Sequence, residues 1–303
     1  MKHIHNGDAV AEQARREGLP GEHISFREAL ATGPGTRDLE MRAEYLAGSH
    51  GDNLLRVRNG LIEMERTLDD AASADEVVLW FEHDLFCLAN LLSLLERFAS
   101  CRRLTLVWHP EPLSQVELYP LFESRAAVTP RMLALARDGW AAYTSDDPRG
   151  LNRFVRDENR DFPFLREGLT LHASRFPSTR NGLGSVEQRI LDLILNGSRD
   201  FMNLFYDFDA APPRFGLGDA EIIRVLRVLA HLPVPLLTMT EENNPQKSLL
   251  TLTPAAENVM RGEVDFVSVN DPDYWLGGAH LTRDNVWRWD EGRREIVSSR
   301  SAG

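Results

Sequence analysis

Cysteine is nearly missing from this sequence. Cys87 and Cys101 are the two in 303 residues, which excludes a disulfide framework and a zinc module of CxxC spacing. Cys87 falls in an apolar helical pattern and reads as core. Neither cysteine has an activating base nearby in sequence, and no GxSxG turn is present, so covalent hydrolysis through serine or cysteine is disfavoured. The GxGxxG and GxxxxGK[ST] phosphate loops are also missing. No apolar run approaches the roughly 20 residues that span a bilayer, and no apolar leader precedes the first strand-like stretch. These absences lead to the expectation of a cytoplasmic protein with no membrane contact. Positive charge is in deficit as well. With 34 Lys and Arg against 46 Asp and Glu, the formal net charge is −12. An acidic surface repels phosphate backbones, so nucleic acid is an unfavoured partner without a local basic patch. Arginine greatly outnumbers lysine, which reflects genome composition. There is no internal repeat and no low-complexity segment.

What is present is a series of apolar runs that each end in polar, chemically capable residues. His3-Ile4-His5 runs into Asn6-Gly7-Asp8, and His23 to Phe26 into Arg27-Glu28. Val77 to Phe81 runs into Glu82-His83-Asp84, and Leu104 to Trp108 into His109-Pro110. Helical patterns separate them at Ala9–Glu17, Asp38–Ala47, Asn53–Asp70 and Leu85–Phe98. The β-α-β-α order predicts a mainly parallel sheet. In open sheets of this kind, ligands bind at the carboxyl edge of the strands. Four parallel strands would bring all four polar clusters to that edge.

Residues 116–184 read as a helical connector, with helices over Thr129–Tyr143, Asp147–Asp157 and Pro163–His172. Residues 185–303 read as three helices (Ser185–Leu195, Ser198–Tyr206, Ala220–His231), two short strands (Pro235–Thr240, Leu249–Leu252) and a helix from Thr253 to Met260. That is a winged-helix pattern, followed by a tail bearing Tyr274, Trp275, Trp287 and Trp289. The expected architecture is therefore α/β: a Rossmann-like domain over 1–115, the helical connector, and a C-terminal winged-helix-like domain.

The segments His3 to Asp8, Gly18-Leu19-Pro20-Gly21, Arg27 to Leu30, Trp80 to Phe86 and Arg175 to Ser178 resemble a bacterial family, the domain-of-unknown-function family numbered 1835. Trp275 to Gly278 and Trp287-Arg288-Trp289 are similar to its members too. The resemblance covers most of the chain. It implies a bacterial origin and carries no reaction with it.

The chemistry must then come from the residues. Glu82, His83, Asp84 and His109 are the catalytic candidates. A carboxylate there serves as general base and a histidine as proton shuttle, while Asp84 also suits the cap of the helix at Leu85. His5, Asn6, Gly7 and Asp8 shape a ligand turn, since glycine admits close backbone approach and a helix start offers free amides to phosphate. The competing reading is a tight turn with Asp8 as helix cap. Arg27, with Glu28 orienting it, suits an anion, the alternative being a surface pair; Arg175 and Arg180 flank a loop that either folds over the sheet edge or serves as an interdomain linker. The histidines and carboxylates also have the ligand types of a divalent-metal site, without a diagnostic spacing.

Two functions follow. One is an enzyme or binding protein for a small phosphorylated or nucleotide-like ligand at the sheet edge, acting by hydrolysis or group transfer. The other is a non-enzymatic sensor whose winged helix binds DNA or a partner protein. For DNA the charge is wrong: Asp219 and Glu221 accompany Arg224 and Arg227, and Glu241 and Glu242 face Lys247 alone. The tryptophans read as packing anchors, or as an interface in a third reading, a structural adaptor.

Overall fold

The computed structural model describes residues 1–158, 160–212 and 214–298. The chain begins with β1 (Lys2–Asn6), α1 (Asp8–Arg16), β2 (Glu22–Phe26) and a two-residue β3 (Gly33–Pro34). It continues through α2 (Leu39–His50), α3 (Leu54–Ala72), β4 (Val77–Glu82), α4 (Leu85–Arg97) and β5 (Leu104–His109). A five-stranded sheet forms in the order β2-β1-β4-β5-β6, with β6 at Ala126–Ala127. The first four strands are parallel and β6 is antiparallel to β5. The expected mainly parallel sheet is therefore present.

Both faces of the sheet are covered, which explains why Val77 to Phe81 is apolar without alternation. Leu79 and Phe81 pack into a core with Leu88, Leu91 and Leu95 of α4. Val78 and Trp80 turn the other way onto Val10 and Ala14 of α1. Each fully buried leucine of α4 contributes about 1.5–3 kcal/mol, which makes this helix the pillar of the domain.

The middle of the chain is helical, with α5 (Leu118–Glu123), α6 (Pro130–Tyr143), α7 (Leu151–Arg156) and α8 (Leu165–Ser174). Thr129 caps α6, its hydroxyl accepting from the Met132 amide, with Pro130 in the first turn. Next come α9 (Ser185–Leu195), α10 (Phe201–Phe208) and α11 (Asp219–His231), then the antiparallel pair β7 (Leu237–Met239) and β8 (Leu250–Leu252), then α12 (Pro254–Met260) and α13 (Phe266–Val269). These share a second core built on Ile190, Leu204, Leu226, Leu237 and Leu250. Leu85, at the start of α4, is buried in that same core and ties the two halves together.

The aromatic tail folds into two hairpins, β9 (Asp273–Gly277) with β10 (Ala279–Thr282), and β11 (Trp287–Asp290) with β12 (Glu295–Ser298). β9 runs back to pair with β3, and the Gly35 amide donates to the Gly277 carbonyl at 2.7 Å. A Cβ at Gly35 would meet the Gly277 backbone at 2.9 Å, so glycine is required at this contact. Trp289 is buried, while Trp275 and Trp287 are half-buried. Among the described residues, no helix is long and apolar enough to cross a membrane.

Candidate functional site

The chain leaves β1 for β2 on one side and returns to β4 on the other. The strand order therefore reverses between β1 and β4, and the ends of these strands border the crevice where open α/β sheets hold ligands. Asn6-Gly7-Asp8 lies on one bank and Glu82-His83-Asp84 on the other.

On the first bank Gly7 has φ 95°, a left-handed conformation that favours glycine. A Cβ there would meet nothing within 4 Å, so the turn faces open space. Asp8 does not cap α1, contrary to the expectation. Gly7 occupies the cap position and no side chain satisfies the first amides. Asp8 turns instead to Arg27, which donates from Nε and Nη2 at 2.8–3.1 Å and holds its carboxyl below the usual carboxylate range.

On the second bank Asp84 is the cap of α4. Its carboxylate accepts from the Cys87 amide at 2.6 Å, which sets the side chain at the mouth of the helix. Burial, with Glu82 and Asp209 nearby, lifts its pKa to about 7. Glu82 is also pushed up by burial, and it accepts from the Leu113 amide at 2.9 Å. Ligating atoms of Glu82, Asp84 and Cys87 lie within 4.8 Å of one another. Asn6 donates to the Cys87 sulfur at 3.0 Å and so links the two banks.

Asn90 is the hub beneath. This fully buried amide of α4 donates to the Asn6 side chain and the Glu28 carbonyl, both at 2.8 Å, and accepts from the Leu30 amide at 3.1 Å. It joins the end of β1 and the loop after β2 to α4 in one network. Asn90 is not among the residues expected at the site, although an amide inside the run Leu85–Leu95 is itself a signal, because a buried amide must find partners.

Residues from the C-terminal half complete the crevice. The Arg214 and Phe215 carbonyls accept from the Leu85 and Phe86 amides, the first of α4. Asp209 fixes this strap by accepting from the Phe215 and Gly216 amides at 2.9 and 2.8 Å. A Cβ at Gly216 would run into the Asp84 carboxyl. Arg214 in turn donates to the Pro110 carbonyl and to Glu111.

Several candidates lie elsewhere. His83 turns away from Glu82 and Asp84, stacks on Phe164 with centroids 5.2 Å apart and meets Trp108 edge-on; burial lowers its pKa to about 4. His109 is bonded to Glu111 at 2.9 Å and accepts through its carbonyl from the His83 amide. His5 is not at the edge. It lies on the α1-facing side of the sheet, fully buried with His3 and His23. Glu28 is held by the buried Arg42. Arg175 is buried and donates to the Ala31 carbonyl at 2.7 Å. Arg180 is exposed, bonded to Gln188. The loop carrying Arg175 and Arg180 is bound by the tail instead of covering the sheet edge, since the Trp289 amide donates to the Pro177 carbonyl and the Thr179 amide to the Trp289 carbonyl.

Among the described residues, two groups have the composition of a metal site: Glu82, Asp84 and Cys87, and His3, His5 and His23. The histidines already satisfy one another. His3 accepts at Nδ1 from the Trp80 indole and donates from Nε2 to the Pro20 carbonyl. His23 donates from Nε2 to the Leu19 carbonyl, which leaves its Nδ1 to accept from Nε2 of His5. Only Nδ1 of His5 lacks a partner. A cation would have to break these bonds, whereas the carboxylates of the first group have free lone pairs. No protein-family model matches the chain, and no curated protein matches it.

Proposed function

We propose that this chain is an enzyme that takes a small phosphorylated or nucleotide-like ligand into the crevice between Asn6–Asp8 and Glu82–Asp84, and there performs hydrolysis or group transfer. The observation that carries this reading is the reversal of strand order between β1 and β4, which sets two chemically equipped turns face to face. On this reading the N-terminal unit is Rossmann-like. Membership in the family numbered 1835, proposed from the same turns, adds no reaction. Two unpaired cysteines fit a reducing, cytoplasmic compartment.

The division of labour follows from the environments. The uncapped start of α1 and the Asn6 amide receive the anionic end of the ligand. Asp84, whose carboxyl burial holds well above the usual carboxylate range, donates or accepts the proton, and Glu82 activates the attacking group. The two acids are also the residues that would hold a divalent cation, whose charge would offset the repulsion between phosphate and carboxylate.

Thermal shift with ATP, a sugar phosphate and magnesium tests the reading. A ligand present at a hundredfold excess over its Kd stabilises by about 2.7 kcal/mol. The shift is expected in the wild type and lost in Asn6→Ala and Glu82→Gln. A shift that survives both substitutions would take the ligand out of this crevice.

The regulator reading draws less support. In the proposed winged helix, α11 would be the DNA-reading element, yet Glu221, Arg224 and Val225 line a cavity of about 430 Å³ together with Tyr45 and Trp275. A recognition helix must present its cations outward.

A further inference from the structure

Between α2, α3 and the end of β2 lies a second cavity, of about 500 Å³. Its walls are mostly apolar: Phe26 and Leu30 from the sheet side, Leu46 from α2, and Val57, Leu61 and Met64 from α3. Small-molecule sites have this size and this character, with a few polar groups set among apolar walls.

The charged groups here are of both signs, with arginine the most frequent. Arg27, Arg37, Arg42 and Arg56 line the cavity against Glu28, Asp52 and Glu65. Each of those acids is already held by an arginine: Glu28 by Arg42, Asp52 by Arg56, and Glu65 by Arg97. Arg37 draws its counter-ion, Glu96, from outside the lining. Arg27 likewise draws Asp8 from outside the lining, so within the lining itself four guanidinium groups stand against three carboxylates, in a chain of formal charge −12. Arg42, 1% exposed, donates to the Ala29, Thr32 and Pro34 carbonyls and to Glu28, and its Nε has no partner.

The helix on the far wall is built to leave this space. The second half of α3 is anchored by buried Leu68 and Ala71 and by Arg97 on Glu65 and Asp69. Its first half leaves Leu54 and Leu55 exposed and places Gly60 in the cavity wall. Glycine is a poor choice within a helix. A Cβ at Gly60 would meet nothing within 4 Å, so no neighbour requires the glycine. Gly60 is exposed in the cavity wall, where a larger side chain has open space to enter.

We propose that this cavity binds an amphipathic anion, an aliphatic or aromatic body carrying one carboxylate or phosphate head. The apolar walls take the body, and the guanidinium groups at the rim take the head through charge-assisted hydrogen bonds. The site does not rest on the acid–base reading of Glu82 and Asp84.

Isothermal titration of the full chain with decanoate, decyl phosphate and uncharged decanol tests it. Saturable one-to-one binding of at least one anion is expected, and the tighter of the two identifies the head. Decanol is expected to bind about tenfold more weakly or worse, as loss of a charge-assisted contact dictates. Gly60→Leu, which favours the helix and fills the space, is expected to abolish binding while the melting temperature holds or rises. Arg37→Met is expected to weaken the anions about tenfold and leave decanol unchanged. Glu82→Gln is expected to bind decanoate as the wild type does. Absence of saturable binding, equal affinity for decanol and the anions, wild-type affinity in Gly60→Leu, or loss of binding in Glu82→Gln would each overturn the proposal.

Discussion

The same sheet carries two clusters of chemically capable side chains, and they have opposite characters. His3, His5 and His23 lie under the sheet, sealed by α1 and Trp80, each bonded to another ring or to a carbonyl. Glu82, Asp84 and Cys87 lie at its carboxyl edge, closed over by a strap from the other half of the chain. In the first cluster burial favours the neutral imidazoles, and the hydrogen bonds fit that state. In the second, burial drives carboxyls toward protonation with few bonds to compensate, and Asp84 reaches about 7. Ligand-type residues therefore do not make a site by themselves. Position on the sheet decides, and the edge is where unspent polarity collects.

The largest test of that contrast is Asn90→Leu. It strands the Asn6 side-chain oxygen, the Glu28 carbonyl and the Leu30 amide. At about 1–3 kcal/mol for each buried unpaired group, the loss is on the order of 5 kcal/mol, read from urea unfolding. A loss below 1 kcal/mol or so would show that the network does not hold the strand ends together.

The second test is acidity. His3, lowered to about 4, and His5, lowered to about 2, resist protonation in the fold and accept it when unfolded. Their contribution is present above the unfolded value near 6.5 and is lost as pH falls through the folded values. For His3 alone that amounts to about 3 kcal/mol. Asp84 works the other way. Its raised pKa gives a contribution present below its ordinary value and lost as pH rises through about 7. Asp84→Asn keeps the cap and removes the titration, so it is expected to gain stability toward pH 7 by roughly 3–4 kcal/mol. His5→Phe is expected to flatten the acid arm alone. Chemical denaturation across pH 3 to 8, or thereabouts, reads both slopes, and parallel profiles in the two variants would erase the contrast.

Smaller effects sharpen it. His83→Ala is expected to cost about 1 kcal/mol through lost contact with Phe164 and Trp108, without altering ligand-induced thermal shifts. Loss of those shifts would return His83 to the crevice. Arg27→Ala breaks an exposed pair and is expected to change stability by less than about 1 kcal/mol.

Much of this arrangement could be read from the residues. β4 and β5 are legible because a doubly covered strand is apolar almost throughout, as Val77–Phe81 is and as Leu104–Val107 is apart from Thr105; β1 and β2 carry histidines and a serine and are read from the turns that bound them. The meeting of their polar ends follows from parallel direction. The helices of the C-terminal half follow from spacing and from turn residues such as Asn196-Gly197 and Thr253-Pro254. Other features leave no local trace. β3 and β6 are two residues long, too short for any period, and the pairing of β9 with β3 joins segments more than two hundred residues apart. His83 sits between two acids in sequence yet faces Phe164, because side chains alternate where the strand gives way to the helix. Arg42 reads as a surface arginine on α2, since the carbonyls that bury it come from a loop with no pattern of its own.

The strap at residues 214–216 has a consequence for synthesis. A ribosome releases β1 through β5 well before Arg214 emerges, and domains tend to fold as they appear. Until that segment emerges, the Leu85 and Phe86 amides lack the carbonyls that accept from them, and Asp84 lacks the cover that Gly216 provides. The start of α4 is therefore finished by residues made more than a hundred positions later, and the sheet edge is among the last parts of the molecule to be completed.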